Sequence, residues 1–555
     1  MTRGRRRILF ATEANDAFVE RIEASLARAT VAGGEDLLVL VEGRDPTRGP
    51  IPTIDLEEMI DPGDLPTRDY ETILKELGRL VEDTRWYAEV REESADRVAI
   101  EDKLVAAAWS VDRILAEYGP GAVLVWNGLL GVRGVVADRA RRAGIPVWYC
   151  EKGPLPESWY ADDRGVNAAS SIAGPPLPDD LRSMLETPLP NEERAVIEAD
   201  IAATARAGAS AWEQAGLRGA AFWRMRLGLD AGRPVLFFPM QVDADTNMRF
   251  FSPHFSGSLT ALQAVAKAAE SLPDWFLLVK PHPKGSYPTG VMEALAGDRG
   301  RCVPDINLHD ALALSSAVVT INSTVAAEAA WNGKPVLQLG RGILSGKGIV
   351  AEFDAARPLD EQLQAASAVW RADGGRRERG LRFYEYLKNQ YLMRADEDDD
   401  VRRLIERMQT LAADKRAGRA AADARMVADG HVWLPAKRLL DHLAVREPRV
   451  RRVVLAGYGR NARRLWAATA RYPFALGIEW LAWDDAPEAR ARAASDGLSI
   501  WNPSSANAAD DVLIVVTPRN PQGLADKLEC LGYEEGDGYR CLFGPVRVLR
   551  RAALV

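Results

Sequence analysis

The sequence predicts an α/β protein of mainly parallel sheets, folded as two similar lobes with a smaller third unit after them. Short β-branched or aromatic runs recur, among them Val235-Leu-Phe-Phe-Pro239, Leu277-Leu-Val279 and Ala317-Val-Val-Thr-Ile321. Helical stretches separate them, which is the pattern of strands buried on both faces. Each run gives way at once to polar residues that a core has no use for. Near the C-terminal end Arg452-Val-Val-Leu-Ala456 leads into Gly457-Tyr-Gly459 and a helical stretch, a further strand, turn and helix.

Composition sets the bounds. A chain of 555 residues has room for roughly three or four domains, and 47% hydrophobic with 27% charged residues is the balance of a globular protein. The net charge of −8 argues against a nucleic-acid partner, because neutralising phosphates needs a basic face. Cys150, Cys302, Cys530 and Cys541 are far apart and form no C-x-x-C pair, so the expected setting is a reducing cytoplasm with no cysteine metal site. No apolar run reaches the roughly 18–20 residues of a membrane span. The arginines of residues 3–7 read as a solvated tail, with peripheral contact to the cytoplasmic face of an inner membrane as the other reading.

Taken in order, residues 1–200 form the first Rossmann-like domain. Strands are expected at Arg7–Ala11, Asp36–Val41, Ala122–Trp126 and Pro146–Cys150, with amphipathic helices from Tyr70 to Tyr118. Residues 201–390 form the second, with strands at Val235–Pro239, Phe276–Val279, Arg301–Val303, Ala317–Ile321 and Pro335–Leu339. A helical linker over 391–430 carries the acidic run Asp396–Asp400, read as a solvated turn or helix start rather than a metal site. Residues 431–555 form the small third Rossmann-like domain.

In open α/β sheets ligands bind beyond the carboxyl ends of the strands. Gln241, Asp243, Asp245 and Asn247 follow one strand of the second lobe, Lys280 and His282 the next, and Asn322, Ser323 and Thr324 another. In the first lobe Asn127, Glu151 and Asn167 hold comparable places. The patterns Gln241-x-x-x-Asp245-Thr-Asn247, Lys280-Pro-His282-Pro and Asn322-Ser-Thr324-x-x-x-Glu328, with Trp126-Asn-Gly128, Glu151-x-Gly153 and Asp163-x-Gly-Val-Asn167 upstream, resemble the capsule polysaccharide biosynthesis glycosyltransferases. That resemblance covers roughly residues 120–390. It implies a GT-B architecture, two Rossmann-like domains facing a cleft, and transfer of the acidic sugar Kdo or a related ulosonic acid from its CMP ester. The acceptor would be a glycan, a lipid-linked glycan or a protein.

The expected roles follow from chemistry and resemblance together. Ser323 and Thr324 open a helix, where backbone N–H groups and the helix dipole favour a phosphate. Plain N-capping is the structural alternative. The resemblance implies that Glu328 holds the nucleotide ribose. Lys280 and His282, stiffened by Pro281 and Pro283, suit an anionic donor, and His282 can assist the departing phosphate. Asp245 is expected as the nucleophile, with Glu151 as acid/base from the facing lobe, because characterised relatives retain configuration. No metal is expected, although Asp243-x-Asp245 invites one, since a monophosphate donor has no diphosphate for a metal to clamp. A different activated donor, such as a nucleoside diphosphate sugar or phosphoribosyl diphosphate, is the rival within transferases.

Gly457-x-Gly459 with Ala462, and Asp484 or Asp485 beyond, form a partial dinucleotide fingerprint. The preferred reading is a structural or docking unit, with NAD binding and NAD-linked sugar modification as the alternative.

Overall fold

The computed structural model describes residues 7–12, 16–41, 51–56, 66–91, 96–208, 214–285, 287–372, 374–416, 439, 443, 450–469, 478–502, 512–516, 533–535, 539–541, 544–546 and 548–551. The arginine-rich start before Arg7, most of the loop between Pro50 and Pro66, and residues 417–430 of the expected linker lie outside the described residues.

The first lobe contains β1 (Arg7–Ala11), β2 (Asp36–Val41), β3 (Thr53–Asp55), β4 (Ala122–Trp126) and β5 (Val147–Lys152), all parallel. A strand not expected from the sequence, β6 (Ser158–Asp162), runs antiparallel to β5. Its helices are α1 (Ala17–Gly33), α2 (Thr67–Val90), α3 (Arg97–Tyr118), α4 (Gly131–Arg142), α5 (Asp179–Glu186) and α6 (Asn191–Ala207). Asp16 caps α1 by accepting the Phe18 and Val19 N–H groups, and Gly34 closes that helix in the left-handed region. The α6 helix runs straight through the boundary expected at residue 200.

The second lobe contains α7 (Ala220–Arg226), β7 (Val235–Pro239), α8 (Thr246–Phe251), α9 (Ser258–Ala269), β8 (Phe276–Lys280), α10 (Thr289–Ala296), β9 (Gly300–Cys302), α11 (Leu308–Leu314), β10 (Ala317–Thr320), α12 (Val325–Trp331), β11 (Val336–Gln338), β12 (Ala351–Glu352) and α13 (Leu359–Ala372). The two sheets share one logic. Spatially the first runs β3-β2-β1-β4-β5 and the second β9-β8-β7-β10-β11-β12, so each reverses direction beside its first strand. That reversal opens a crevice above the strand ends, at β1/β4 in one lobe and β7/β10 in the other.

The chain then crosses back. The α14 helix (Gly374–Tyr386) and a π-turn over Leu387–Tyr391 lie against α5 and α6, where Tyr384 donates to Asp200 at 2.5 Å and Tyr386 to Asp180 at 3.3 Å. The segment after this crossing is not a linker. A strand, β13 (Met393–Arg394), joins the edge of the first sheet by pairing with β6, and α15 (Asp398–Arg416) packs on α1. Val401, Leu404, Ile405 and Met408 complete an apolar cluster around Trp148 and Trp159. The acidic run serves this docking, since Asp398 accepts from Ser25 at 2.6 Å and from Arg28 at 2.8 Å.

The third unit holds β14 (Arg452–Ala456), α16 (Arg460–Thr469), β15 (Glu479–Trp483), α17 (Pro487–Ser495), β16 (Ser499–Ile500) and β17 (Val512–Val516). Antiparallel strands at Val548–Arg551 and Tyr533–Glu535 extend its sheet.

Candidate active site

The polar residues at the crevice of the second lobe first of all hold one another. The Gln241 side-chain amide donates to Asn322 Oδ1 at 2.9 Å, and the Asn322 backbone N–H returns a bond to Gln241 Oε1 at 2.9 Å. Asn322 Nδ2 donates to the Asn247 carbonyl at 3.0 Å. Gln241 and Asn322 are buried, so this amide clamp ties the loops after β7 and β10 across the switch point.

The two carboxylates of Asp243-x-Asp245 diverge. Asp243 is buried, accepts the Ser258 N–H at 2.8 Å and takes the Tyr287 hydroxyl, so it anchors the start of α9. Asp245 caps α8 by accepting the Asn247 N–H at 2.8 Å, and its side chain opens to solvent. Crowding by the surrounding protein raises its pKa even at this open position, against the bonds from Asn247 and Thr246.

Glu151 comes from the facing lobe. It lies inside β5, not beyond its end, and is opposite Tyr160. Asn127 Nδ2 bridges Glu151 Oε2 at 2.7 Å and Thr246 Oγ1 at 3.3 Å, which brings Glu151 beside the residue following Asp245. Asn127 adopts φ +59, and Gly128 after it has φ +72 with no room for a Cβ, which would sit 2.9 Å from the Tyr149 ring. Burial raises the Glu151 pKa and the nearby Asp245 charge adds to the rise, while Asn127 and the Lys152 N–H oppose it. The charge of a carboxylate in one lobe thus bears on the protonation of a carboxyl group in the other.

Beside them is a small cavity of about 30 Å³ walled by both lobes, with Lys152 and Asn167 from the first and Asn247, Asn322, Ser323 and Thr324 from the second. Asn167 has φ +54, and its N–H donates to the Tyr160 hydroxyl at 2.8 Å. Ser323 Oγ accepts the Val325 N–H at 3.2 Å, so it caps α12 as well as facing the cavity. The neighbouring Asp162, at the end of β6, is buried and accepts from Arg164, Ser171 and Tyr391, which makes it a staple for the loop that follows.

Of the expected site residues Asn167, Asn247, Asn322, Ser323 and Thr324 line this cavity; Asn127, Glu151, Gln241, Asp243 and Asp245 are not in its wall, and neither are Glu328, Lys280 and His282. Glu328 faces a second cavity with His309, Trp331 and Tyr384; Pro154 borders both. Burial pushes the Glu328 carboxyl up to about 8, so it is largely neutral at pH 7. Lys280 is buried at the end of β8, and desolvation lowers its pKa despite Asp305 and Cys302 nearby. His282 follows it, and burial with the Lys280 and Lys284 charges lowers its pKa to about 4. The sequence reading gave it a part in holding an anion; burial and the two lysine charges favour its neutral form. Its Nδ1 accepts the Lys284 N–H at 3.1 Å, so Nε2 carries the proton and can only donate.

Sequence reasoning missed Lys152, whose ammonium is the charged group in the cavity wall. It pairs with Asp16 at 3.1 Å and lies 5.3 Å from the Phe18 ring centre. The signal was its place in Glu151-Lys-Gly153, directly after the expected acid/base. Among the described residues, no group of three or more His, Cys, Asp or Glu gathers as metal ligands, and no helix is long and apolar enough to cross a membrane.

Two Rossmann-like lobes, a cleft at both switch points and a chain that crosses back define the GT-B fold of glycosyltransferases. The model of the capsule polysaccharide biosynthesis protein family matches residues 224–374, within the second lobe. No curated protein matches the chain by sequence. Among solved structures it is similar to Thermosulfurimonas dismutans KpsC, beta Kdo 2,7 transferase, at 21% identity over 47% of this chain and 80% of that one, with a TM-score of 0.31. The beta Kdo 2,4 transferase of KpsC from the same organism gives 19% identity over 45% and 79%, with a TM-score of 0.32. The glycosyltransferase SnogD from Streptomyces nogalater gives 16% identity over 74% and 99%, with a TM-score of 0.29.

Proposed function

We propose that the protein transfers an acidic ulosonic sugar, Kdo or a close relative, from its CMP ester to a glycan, lipid-linked or protein acceptor with retention of configuration. The observation that supports this most is the placing of Asp245 and Glu151 on opposite lobes, joined through Asn127 and Thr246 at the edge of a shared polar cavity. In the first step the Asp245 carboxylate attacks the anomeric carbon, forming a glycosyl ester as the bond to the CMP phosphate breaks. The phosphate leaves as an anion and needs no proton; His282 Nε2–H is a hydrogen-bond donor available to it. Forming the ester removes the Asp245 charge, so the like-charge contribution to the Glu151 pKa disappears. Glu151 can then ionise, take the proton of the acceptor hydroxyl, and let that oxygen displace Asp245. The divergent placing of Asp243 and Asp245 supports transfer without a divalent metal.

Intact-mass analysis of the Glu151→Gln protein mixed with CMP-Kdo tests the reading. A trapped glycosyl group on Asp245 with CMP released is the expected result. CMP release without any adduct, or full transfer by Asp245→Asn, would overturn it. Release of UDP or pyrophosphate from other donors, with none of CMP, would favour the rival donor class.

A further inference from the structure

The third unit is left without a task by the transfer chemistry. Its four parallel strands run β16-β15-β14-β17 in space, or third, second, first, fourth in sequence. This is the order of a dinucleotide-binding half, with its crevice between β14 and β17. The loop leaving β14 is Gly457-Tyr-Gly-Arg-Asn-Ala462, which has a small residue at each of the three fingerprint positions. Gly457 has φ +78, and its N–H donates to the Trp483 carbonyl at 2.8 Å, tying the turn to the tip of β15. In front of Gly459 an added Cβ would meet nothing nearer than the Gly457 carbonyl at 4.0 Å, so the backbone is open to close approach. Ala462 is fully buried, where α16 must close on the sheet. Behind the turn, the Tyr458 hydroxyl donates to Asp496 at 3.0 Å and Arg463 binds the same carboxylate at 2.8 Å, which braces it.

A helix start alone would not identify a ligand. The independent feature is Asp484, at the tip of the adjacent strand and about twenty residues beyond the glycine turn, where dinucleotide sites carry the acid that accepts ribose hydroxyls. Its Oδ1 accepts the Ala486 N–H at 2.9 Å, which fixes the carboxylate at that tip, partly open to solvent. We propose that this unit binds an adenine dinucleotide with an unmodified ribose, NAD rather than its 2′-phosphorylated form. Asp484 accepts from the ribose, and the glycine turn receives the pyrophosphate. A 2′-phosphate would meet the Asp484 charge directly.

The test is calorimetric titration of the full chain with NAD, NADP and, as an independent check on the other site, CMP. The wild type should bind NAD at least about tenfold more tightly than NADP. Asp484→Asn should bring the two affinities together, and Gly459→Val should abolish NAD binding with CMP binding unchanged. Absence of NAD binding in a wild-type protein whose circular dichroism is native would overturn the proposal, whatever CMP does. So would an NAD/NADP ratio unaltered by Asp484→Asn, the substitution that decides the matter if Gly459→Val disturbs the fold.

Discussion

Arg249 lies on the helix that Asp245 caps, yet its guanidinium is buried against Asp83 of the opposite lobe, at 2.8 Å, and lies 4.9 Å from the centre of the Trp86 ring. Both side chains are almost fully enclosed, at 7% and 5% exposure. The short α8 helix therefore belongs to one lobe by sequence and is held by the other. Arg249→Met should destabilise the protein by about 3–5 kcal/mol, toward the lower figure because Arg79 is 3.7 Å from Asp83 and keeps part of the compensation. The double variant with Asp83→Leu should recover much of that loss. Denaturant unfolding measures both, and steady-state kinetics should show kcat falling more than KM rises, because Asp245 loses its position rather than the donor its contacts.

The pH profile of transfer should carry the mark of Glu151. Its pKa is raised, so the proton stays on to higher pH than in an ordinary glutamate. Asp245 must be ionised for attack, and its own raised pKa moves the acid limb upward. Glu151→Gln should leave that limb in place while slowing overall transfer about 10²–10⁴-fold. An unchanged overall rate in a rate–pH series would remove Glu151 from the reaction.

Lys152 should act on donor affinity. Lys152→Ala is expected to raise the donor KM about tenfold with little change in kcat, since the interaction is already made in the ground state. Asp16→Asn should do the opposite, because it releases the ammonium while asparagine still caps α1.

His282 should make the protein acid-sensitive. Its folded pKa of about 4 lies below the unfolded 6.5, so the unfolded chain binds more protons between those values. Stability from this group is complete above 6.5 and is lost as pH falls toward 4. The difference in melting temperature between wild type and His282→Gln should therefore shift in the variant's favour across that window.

For Glu328 the sign reverses. Its folded pKa of about 8 lies above the unfolded 4.5, so the folded chain holds the extra proton and ionisation costs stability as pH rises. Glu328→Gln should match wild type near pH 4.5 and gain on it up to pH 8, by at most about 1.4 kcal/mol per pH unit. Parallel unfolding curves at both ends of the range would contradict this.

Much of the scaffold was legible because strands buried on both faces advertise themselves: Arg7–Ala11, Asp36–Val41 and Val235–Pro239 fall where their apolar runs lie. The β6 strand was not, because Ser158-Trp-Tyr-Ala-Asp162 is short and ends in polar residues whose burial depends on Tyr391, far along the chain. Strand ends also located Gln241, Asn247, Asn322, Ser323 and Thr324 around one cavity or its clamp. Sequence could not divide the work between Asp243 and Asp245, since only the fold decides which helix each caps. It could not show that His282 is neutral, because that follows from burial and two lysine neighbours. The Arg249–Asp83 pair joins residues 166 apart and leaves no local pattern at all.

The returning segment also sets an order of events. As the chain leaves the ribosome, the first sheet emerges with the flank beside Trp148 and Trp159 uncovered, and its closing strand and helix follow only after the whole second lobe. Of the two lobes, the first is thus begun before the second and completed after it, which joins the folding of the two halves.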